Sequence, residues 1–278
     1  MPYFTVIIPT FNRMPFLRIA VGSVLTQSFR DFELIVIDDG STDKTQELIK
    51  TFKDKRIKYF YQENRGPAAA RNSGIKKAKG EFICFLDSDD RFLKDKLAVT
   101  RKYIGKFPDY KIFHTEELWY RNGAYLSQKK EHKKPSGFVF KQALKICSVS
   151  MSTACINKEV FNKTGYFDEY FPVCEDYEFW LRTALMFKIK LIPEYLTIKE
   201  GGRIDQQSKR AGLDKYRFSA IHKLINSGRI PEEMKKDTLE SIRKKALIYI
   251  QGARKRGKDK EAEGIRKLLR KDEEMLCD

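Results

Sequence analysis

The sequence predicts an α/β protein in which a mostly parallel sheet is covered by helices and followed by a helical C-terminal extension. Over the first hundred residues, short apolar runs alternate with amphipathic patterns that have the period of a helix. The apolar runs are continuous, as is typical of parallel strands that are buried on both faces. Several of these runs also end in polar residues, and ligands bind at the carboxyl ends of the strands in such sheets. We therefore expect a binding site at one edge of this sheet.

The predicted elements follow one another in a regular order. Four strands are predicted at 4–8, 32–37, 57–61 and 82–86, where apolar and β-branched residues concentrate. Helices are predicted at 15–26, from a cap at Ser41 or Thr42 to about residue 52, from Pro67 to just before Gly80, and at 94–106.

The remaining two thirds of the chain are less regular. Residues 111–201 have a mixed pattern that is rich in aromatic residues, and 128–137 is expected to be an exposed loop. After residue 202 the pattern is helical, with breaks at 228–231 and near Gly257. The predicted organisation is one large domain at 1–202 and a basic helical extension at 203–278.

The composition supports a packed domain in a reducing compartment. Hydrophobic residues make up 41% and aromatic residues 13% of the chain, which is ample for a core. No stretch approaches the roughly 18 apolar residues of a membrane span, and the first strand follows without a basic leader, so no secretory signal is expected. The five cysteines form no C-x-x-C pair, which indicates neither a zinc cluster nor a disulfide framework. These features predict a cytoplasmic protein.

The chain is strongly basic, with 55 Lys and Arg residues, 38 Asp and Glu residues and a net charge of +17. Such a charge attracts nucleic acid, anionic lipid or phosphorylated small molecules. No zinc-finger spacing or RNA-binding signature accompanies it, so no nucleic acid partner is expected. Residues 203–278 include 21 basic and 13 acidic residues. This pattern fits a solvated helical face, and it also fits peripheral contact with the anionic inner face of the cell membrane.

The most informative feature is the acidic end of the fourth strand. Residues 82–86 are apolar, and Asp87, Asp89 and Asp90 follow at once. Carboxylates this close repel one another unless a cation lies between them. Asp87 and Asp89 can supply hard oxygen ligands to Mg²⁺ or Mn²⁺, which usually hold substrate phosphates as well. The alternative is an acidic turn that caps the next helix, and the motif alone leaves both explanations open.

Five motifs in a fixed order favour the metal site. They are VIIPTFNR at 6–13, DDGSTD at 38–43, GPAAARNSG at 66–74, DSDD at 87–90 and CEDYEFW at 174–180. Together they closely resemble the family 2 glycosyltransferases, which are inverting enzymes of the GT-A fold that use nucleotide-diphosphate sugars. The resemblance covers about residues 4–202. It implies a Rossmann-like GT-A catalytic domain at 1–202, with a nucleotide-binding half at 1–110 and a half for acceptor and donor sugar at 111–202.

The resemblance implies which residues bind the nucleotide-sugar donor. They lie at the ends of three strands and on the helix that begins at Pro67: Pro9, Thr10, Phe11, Asn12, Asp39, Arg71, Asp87 and Ser88. Phe11 can stack on the base, although an isolated Phe11 would more often be a core aromatic. Asp39 can accept a hydrogen bond from the base. Arg71 suits bidentate contact with phosphate, and its alternative is a solvated surface arginine.

The same resemblance assigns roles to the acidic motifs. Asp89 is expected to ligate Mn²⁺ or Mg²⁺ together with both phosphates, with Asp87 near the ribose or a metal-bound water and Asp90 as a bystander. The ion neutralises the charge that accumulates on the leaving diphosphate. Asp176 corresponds to the general base, and Glu175 is expected to position the donor or acceptor sugar. An acidic helix N-terminus is an alternative that is compatible with both roles.

Three further polar residues, His114, Asp168 and Arg203, stand outside the five motifs. His114 follows a predicted strand at 110–113 and can face the sugar, although a lone histidine there is more often structural. Asp168 is expected to be a loop or cap residue outside the site. Arg203 stands where a related subgroup has a histidine that can bind metal or phosphate. Arginine cannot ligate a metal, but it can pair with a diphosphate.

The resulting prediction is the transfer of a hexose, with inversion, from a UDP-sugar to a hydroxyl group of a glycan or lipid-linked acceptor, as in cell-envelope polysaccharide synthesis. Two alternatives stay open. A nucleotidyltransferase would need a Gly-rich phosphate loop after the first strand, which residues 9–13 do not provide. A non-catalytic nucleotide-sugar-binding module would have lost its acidic motifs, and these are present.

Overall fold

A computed structural model describes residues 1–129, 132–203 and 212–277. The described residues form a mixed sheet and confirm the predicted α/β class. Its strands are β1 (Phe4–Thr10), β2 (Phe32–Asp39), β3 (Ile57–Gln62), β4 (Phe82–Phe85), β5 (Arg91–Phe92), β6 (Ile112–Arg121), β7 (Ala124–Leu126), β8 (Cys155–Asn157) and β9 (Ile189–Gly201). They lie in the order β3-β2-β1-β4-β8-β6-β9-β5, and β7 pairs with β6.

Ten α-helices accompany the sheet in the part of the chain that the structure describes. They are α1 (Met14–Leu25), α2 (Thr45–Thr51), α3 (Pro67–Lys77), α4 (Lys96–Lys106), α5 (Phe140–Lys145), α6 (Lys158–Thr164), α7 (Glu175–Met186), α8 (Leu213–Asn226), α9 (Glu232–Lys255) and α10 (Asp259–Cys277). The four predicted strands and the four helices predicted in the first 106 residues are present, with ends that differ by a few residues.

Four strands form the parallel half of the sheet. β1 pairs in parallel with β2 on one side and with β4 on the other, and β2 pairs in parallel with β3. In this register Thr10 lies beside Asp38, and Ile7 lies beside both Ile35 and Phe85. The carboxyl ends of β1, β2 and β4 therefore meet at one edge, as the sequence predicts.

These parallel strands are buried on both faces, which explains their continuous apolar runs. Ile7 and Ile35 belong to the core on one face, whereas Val6, Ile8 and Val36 belong to the core on the other. All five side chains are fully buried. Burial of such a side chain contributes about 1.5–3 kcal/mol, so this half of the sheet is a firm base for the loops that follow it.

Helix α3 packs directly on this sheet because Gly74 has no side chain. A Cβ at Gly74 would lie 2.6 Å from Cγ2 of Ile7, closer than two carbon atoms approach without displacement. Arg71, one turn earlier on the same helix, reaches Asp87 just beyond β4. The close packing of α3 thus positions a side chain at the carboxyl edge of the sheet.

The second half of the sheet contains longer strands than the sequence predicts. The prediction that a strand at 110–113 ends before His114 is wrong, because β6 continues to Arg121 and pairs in parallel with β9. His114 is 0% exposed, and its Nε2 lies 2.8 Å from the carbonyl oxygen of Pro135. It is therefore a core residue and does not face a bound sugar.

The pH dependence of stability should report on this buried histidine. Burial, with additional repulsion from Lys134, lowers the pKa of His114 to about 3. In the unfolded chain this pKa is about 6.5, so below pH 6.5 the unfolded state binds more protons and stability falls as the pH falls. We expect His114→Gln, which gains no proton, to reduce the loss of unfolding free energy between pH 7 and pH 5 by about 2 kcal/mol. Urea unfolding at the two pH values measures this, and parallel losses in both proteins would contradict it.

The start of α2 also differs from its prediction. The helix begins at Thr45, and neither Ser41 nor Thr42 caps it. Oδ1 of Asp43 instead accepts hydrogen bonds from N and Oγ1 of Thr45, at 3.0 and 2.5 Å. Ser41 is used differently, because its Oγ accepts a hydrogen bond from N of Asn12 at 2.9 Å.

The expected exposed loop at 128–137 is only partly exposed. Lys134 is buried, and its Nζ lies 3.3 Å from Oε1 of the equally buried Glu117. A buried charge of this kind is stable only when it is paired. Residues 130 and 131 of this loop lie outside the described residues.

The C-terminal helices break where the sequence predicts, between α8 and α9 and between α9 and α10. Buried side chains of these helices, among them Phe218 and Ile250, belong to the same apolar cluster as Ile7. In the described ranges no helix is both long and apolar enough to cross a membrane. Contact of this extension with a membrane surface stays a prediction. Residues 204–211, which follow Arg203 in the sequence, lie outside the described residues.

Candidate active site

Charged side chains from distant parts of the chain meet beyond the carboxyl ends of β1 and β4. They come from the loops after β1 and β4, from α3 and α7, and from the end of β9 and the residues just beyond it: Arg13, Arg71, Asp87, Asp89, Glu175, Lys199 and Arg203. Each of the three acids in this set is paired with at least one arginine. We call this set the charged edge cluster.

Arg71 connects two of the acidic motifs. Its Nη2 donates to Oδ1 of Asp87 at 2.9 Å, and its Nη1 donates to Oε1 of Glu175 at 2.5 Å. The side chain is only 7% exposed, so the alternative of a surface arginine is wrong. A planar guanidinium can hold two carboxylates in fixed directions, which an ammonium group cannot. Arg71 therefore fixes the segment Asp87-Ser88-Asp89 after β4, which we call the D-x-D loop, relative to the start of α7.

Burial and pairing act in opposite directions on these groups. Burial alone would lower the pKa of Arg71, but Asp87, Glu175 and Asp176 together raise it above its usual value. Burial also disfavours charge on Asp87, yet Arg71 and Lys199 outweigh it and lower the pKa of that carboxyl. At Glu175 burial outweighs Arg71, with Asp176 adding repulsion, so its pKa is raised. The cluster thus keeps Asp87 ionised and makes Glu175 easier to protonate.

Asp89 is paired with two arginines. Nη1 of Arg13 donates to Oδ2 of Asp89 at 3.0 Å, and Nη2 of Arg203 donates to the same oxygen. The Arg203 guanidinium also lies over the ring of Phe16, 4.4 Å from its centroid. Positive charge therefore surrounds the second carboxylate of the D-x-D motif.

Asp90 connects the D-x-D loop to β9, a structural role that the prediction of a bystander did not include. It is buried, its Oδ2 accepts a hydrogen bond from Oγ of Ser152 at 2.6 Å, and its Oδ1 accepts from N of Glu200 at 3.2 Å. Burial raises the pKa of Asp90 well above its ordinary value, with Lys199 opposing and the neighbouring carboxylates adding to the shift. Asp90 is therefore a structural anchor of this loop.

Lys199 supplies positive charge behind the D-x-D loop. Its Nζ lies 3.3 Å from Oγ of Ser150. Burial would lower its pKa, but Glu117 and the three nearby aspartates raise it above its ordinary value. Lys199 thus stays charged and reduces the repulsion among these carboxylates. The sequence gives no signal for a role of Lys199, because nothing in the local pattern predicts the strand that carries it.

Asn12 joins the loops that follow β1 and β2. Its Oδ1 accepts hydrogen bonds from N of Thr42 at 2.8 Å and from N of Asp43 at 3.2 Å. Its φ of 51° lies in the left-handed region, which asparagine adopts more readily than most residues. Asn12 therefore shapes the predicted nucleotide-binding loop through contacts within the protein.

Asp39 holds the segment that leads into α3. Its Oδ1 accepts from Nε2 of Gln62 at 2.7 Å and from N of Arg65 at 3.0 Å, and its Oδ2 accepts from N of Gly66 at 2.8 Å. Each carboxylate oxygen can accept more than one hydrogen bond. Asp39 thus has the capacity to bind a base while it supports this segment.

Phe11 and Thr10 present different groups at the same edge. Phe11 is 46% exposed, so the alternative of a core aromatic is wrong. Thr10 is buried, and its Oγ1 has no hydrogen-bond partner within the described residues. Buried hydroxyl groups usually have a hydrogen-bond partner, so a bound ligand can supply one for Oγ1 of Thr10. The other two predicted contacts are Pro9, within β1, and the buried Ser88, in the D-x-D loop.

Asp176 lies in the first turn of α7, next to Glu175. Its Oδ2 accepts from Sγ of Cys147 at 3.3 Å, and its Oδ1 accepts from N of Tyr177 at 2.7 Å. The helix is preceded by Cys174, whose φ of 62° marks a sharp change of direction. Asp176 is only partly buried. It therefore combines a fixed position with access from outside.

The acidic residues fit a divalent cation that arrives with ligands of its own. Among residues 1–129, 132–203 and 212–277, no group of three or more His, Cys, Asp or Glu side chains is arranged to hold a metal. Asp87 and Asp89 offer two carboxylates, and Mg²⁺ is commonly held by one or two carboxylates together with phosphates and water. This donor set suits a cation bound together with a diphosphate.

Some of the predicted residues lie within the cluster at the carboxyl ends of β1 and β4, and others lie outside it. Arg71 is in direct contact with both Asp87 and Glu175, and Asp89 belongs to the same loop as Asp87. Asp168 lies outside the cluster, as expected, in a loop where it pairs with Lys223 at 2.6 Å.

The sequence matches known proteins over the region that carries these loops. The family described as "Glycosyl transferase family 2" matches residues 5–164. An uncharacterized glycosyltransferase of Rickettsia conorii is 40% identical over 181 residues, which are 65% of this chain and 30% of that protein. GalNAc(5)-diNAcBac-PP-undecaprenol beta-1,3-glucosyltransferase of Campylobacter jejuni is 44% identical over 102 residues, which are 35% of this chain and 33% of that protein. The chain thus spans about a third of the length of these relatives.

The fold is similar to that of solved structures as well. TarS of S. aureus in complex with UDP-GlcNAc aligns with a TM-score of 0.72 over 97% of this chain and 91% of that chain, at 18% identity. The family match at 5–164 covers more than half of the chain and includes the loops after β1, β2 and β4. These loops carry Asp39, Asp87 and Asp89 at one edge of a GT-A-like sheet, and the chain belongs to glycosyl transferase family 2.

Proposed function

We propose that this chain is an inverting hexosyltransferase that transfers a sugar from a UDP-linked donor to a hydroxyl group of a glycan or lipid-linked acceptor. The observation that supports this best is the shared contact of Arg71 with Asp87 and Glu175. It fixes the D-x-D loop, where a donor diphosphate is expected, against the helix that carries the candidate base Asp176. One buried side chain therefore sets the relative position of donor and base.

The nucleoside fits the loops after β1 and β2. Phe11 presents an exposed ring on which a base can stack. Asp39 can accept a hydrogen bond from a base N–H. Oγ1 of Thr10, which has no hydrogen-bond partner within the described residues, lies at the end of β1 beside Asp38. TarS, which has a similar fold, is described in complex with UDP-GlcNAc. This supports a UDP-linked donor for the present chain.

Asp89 and Asp87 would hold Mn²⁺ or Mg²⁺ at the D-x-D loop. Such an ion supplies Lewis-acid neutralisation of the negative charge on the leaving diphosphate. The protein supplies positive charge to the same region through Arg13, Lys199 and Arg203. Asp90 keeps the loop in place from behind, through Ser152 and the backbone of β9.

Asp176 acts as the general base. Its carboxylate takes the proton of the acceptor hydroxyl while that oxygen attacks the anomeric carbon opposite the diphosphate. The bond from the anomeric carbon to the diphosphate breaks as the new glycosidic bond forms, and the configuration at this carbon is inverted. Inversion is the outcome of this single displacement, in which Asp176 acts as a base and forms no bond to the sugar. Glu175 is a positioning residue that acts through Arg71, because it is buried against that side chain.

A relative supports the class of acceptor. The similar protein of Campylobacter jejuni is named as a glucosyltransferase, and its name specifies a glycan linked to PP-undecaprenol. Undecaprenol-linked glycans are therefore reasonable first acceptors to test, together with free glycans.

A donor screen tests the proposed function. UDP release from a set of UDP-hexoses is measured with Mn²⁺ or Mg²⁺ and then repeated with acceptors for the best donor. We expect release to require a divalent cation and Asp89→Asn to weaken UDP binding by at least about tenfold in the presence of the cation, without weakening it in EDTA. Equal affinity of the unmodified protein for UDP with and without chelator would contradict the metal assignment. Binding of UDP without release from any donor would favour the non-catalytic alternative.

A further inference from the structure

Two guanidinium groups hold Asp89 at the place where the proposed function needs a metal ligand. Arg13 and Arg203 both donate to Oδ2 of this carboxylate. Hydrogen bonds between ionised groups are short and about twice as strong as neutral ones. A divalent cation that binds this oxygen must displace two positive groups, which also repel it. A cation without nucleotide is therefore a poor competitor for Asp89.

A diphosphate offers these arginines an alternative partner. It carries several negative charges, and a guanidinium group is suited to bidentate bonding with phosphate. Arg203 is also supported without Asp89, because its guanidinium lies 4.4 Å from the centroid of the Phe16 ring. Arg13 immediately precedes α1, the helix that carries Phe16. Arg203 thus keeps a side-chain contact when it leaves Asp89, and the backbone of Arg13 stays fixed at the start of α1.

The space around Asp89 allows this movement. A cavity of about 250 Å³ opens beside Asp89 and Arg203, bounded by Phe16 and Arg91 among others. The side chains of Arg13 and Arg203 are 22% and 19% exposed. Their guanidinium groups can therefore change partner at the edge of the site without disturbance of the core.

We propose that Arg13 and Arg203 bind the donor diphosphate, and that Asp89 holds both arginines in place until the donor arrives. Their transfer to the diphosphate releases Asp89 for the divalent cation. This inference rests on the proposed function and assigns the two arginines to its donor. Both ligands bind at the expense of the same contact, because the diphosphate takes the two arginines and the cation takes Asp89. The binding of nucleotide and of cation is therefore coupled, and each ligand raises the affinity for the other.

Cation binding in the absence of nucleotide tests this inference. The affinity for Mn²⁺ alone is measured by electron paramagnetic resonance of the free ion, and the affinity for UDP in EDTA by calorimetry. We expect Arg203→Met and Arg13→Met each to bind Mn²⁺ alone about fivefold more tightly, or more. The same variants should bind UDP in EDTA at least about fivefold more weakly.

Arg91→Met is the matched control. Arg91 lines the same cavity but pairs with Glu200 at 3.3 Å, and we expect neither affinity to change. The opposite changes in the two test variants also exclude general damage, which would weaken both kinds of binding.

The inference is overturned if neither test variant binds Mn²⁺ more tightly than the unmodified protein does, or if UDP binding in EDTA is unchanged in both. Failure of the proposed UDP donor has another signature, because the unmodified protein then does not bind UDP even with Mn²⁺ present. Failure of catalysis alone appears in the donor screen, as UDP binding without release from any donor. Tight binding of UDP with Mn²⁺ by the unmodified protein, together with unchanged Mn²⁺ affinity in the variants, would refute only the role of the arginines.

Discussion

Asp176→Asn is expected to abolish sugar transfer while it leaves UDP binding intact. Asparagine has nearly the same size, and its Oδ1 can accept the hydrogen bond that N of Tyr177 now donates, but it cannot take a proton from the acceptor. A positioned general base contributes typically about 10²–10⁴-fold to the rate, so we expect a loss of this size. Single-turnover transfer with the best donor measures the rate, and calorimetry measures the affinity for UDP.

Asp168→Asn is the matched control for this substitution. Asp168 lies shortly before α7 in the sequence and pairs with Lys223 of α8 at 2.6 Å. The control should retain turnover, because Asp168 has no part in the proposed chemistry. Near-normal turnover of Asp176→Asn would show that another group is the base. Equal losses in the two variants would instead point to displacement of α7.

The parallel half of the sheet was predictable because its determinants are local. Each of β1, β2 and β4 is a short apolar run that polar residues end, and β1 and β2 are buried along almost their whole length. Once such strands are parallel, their carboxyl ends must meet at one edge. The meeting of the loops that carry Asp39 and Asp87 follows from this rule without knowledge of any side-chain contact.

The second half was not predictable in the same way, because its pairing is between distant segments and is irregular. β6 and β9 pair with register shifts around Glu116, and β9 includes Pro193, which cannot donate to a ladder of hydrogen bonds. β6 also carries the buried polar side chains of His114 and Glu117. Because of these features, neither β6 nor β9 has a strict alternation of apolar and polar residues. The local sequence pattern therefore does not indicate a strand at either place.

The acids of the site were easier to identify than its cations. Asp87, Asp89 and Asp176 stand in short acidic motifs, at 87–90 and 174–180. Lys199 is one among 55 Lys and Arg residues in a strongly basic chain, and nothing in its local sequence separates it from solvated neighbours. Its importance arises only when β9 is placed beside the D-x-D loop, because charge there is then needed to balance three carboxylates.

Arg71→Met should affect stability and donor binding together. The substitution leaves Glu175 buried, and Asp87 partly buried, without their guanidinium partner. Removal of one member of a buried ion pair costs about 3–5 kcal/mol, and we expect a loss of this size in the free energy of unfolding by urea at pH 7.5. The loss should be smaller near pH 5, because the pKa of Glu175 is already raised and protonation removes its unpaired charge. A loss below about 1 kcal/mol would mean that the pair contributes no more than a surface ion pair.

A double variant separates the structural role of Arg71 from its role in transfer. Arg71→Met with Glu175→Gln removes the buried carboxylate together with its partner, so part of the lost stability should return. Transfer should not return, because Arg71 would still be missing between the D-x-D loop and α7. Arg71→Lys supplies the charge but not the planar fork that reaches both carboxylates, and it should recover stability better than turnover. If the double variant regained turnover, Arg71 would serve only to neutralise Glu175, and the placement of Asp176 relative to the donor would have to depend on other contacts of α7.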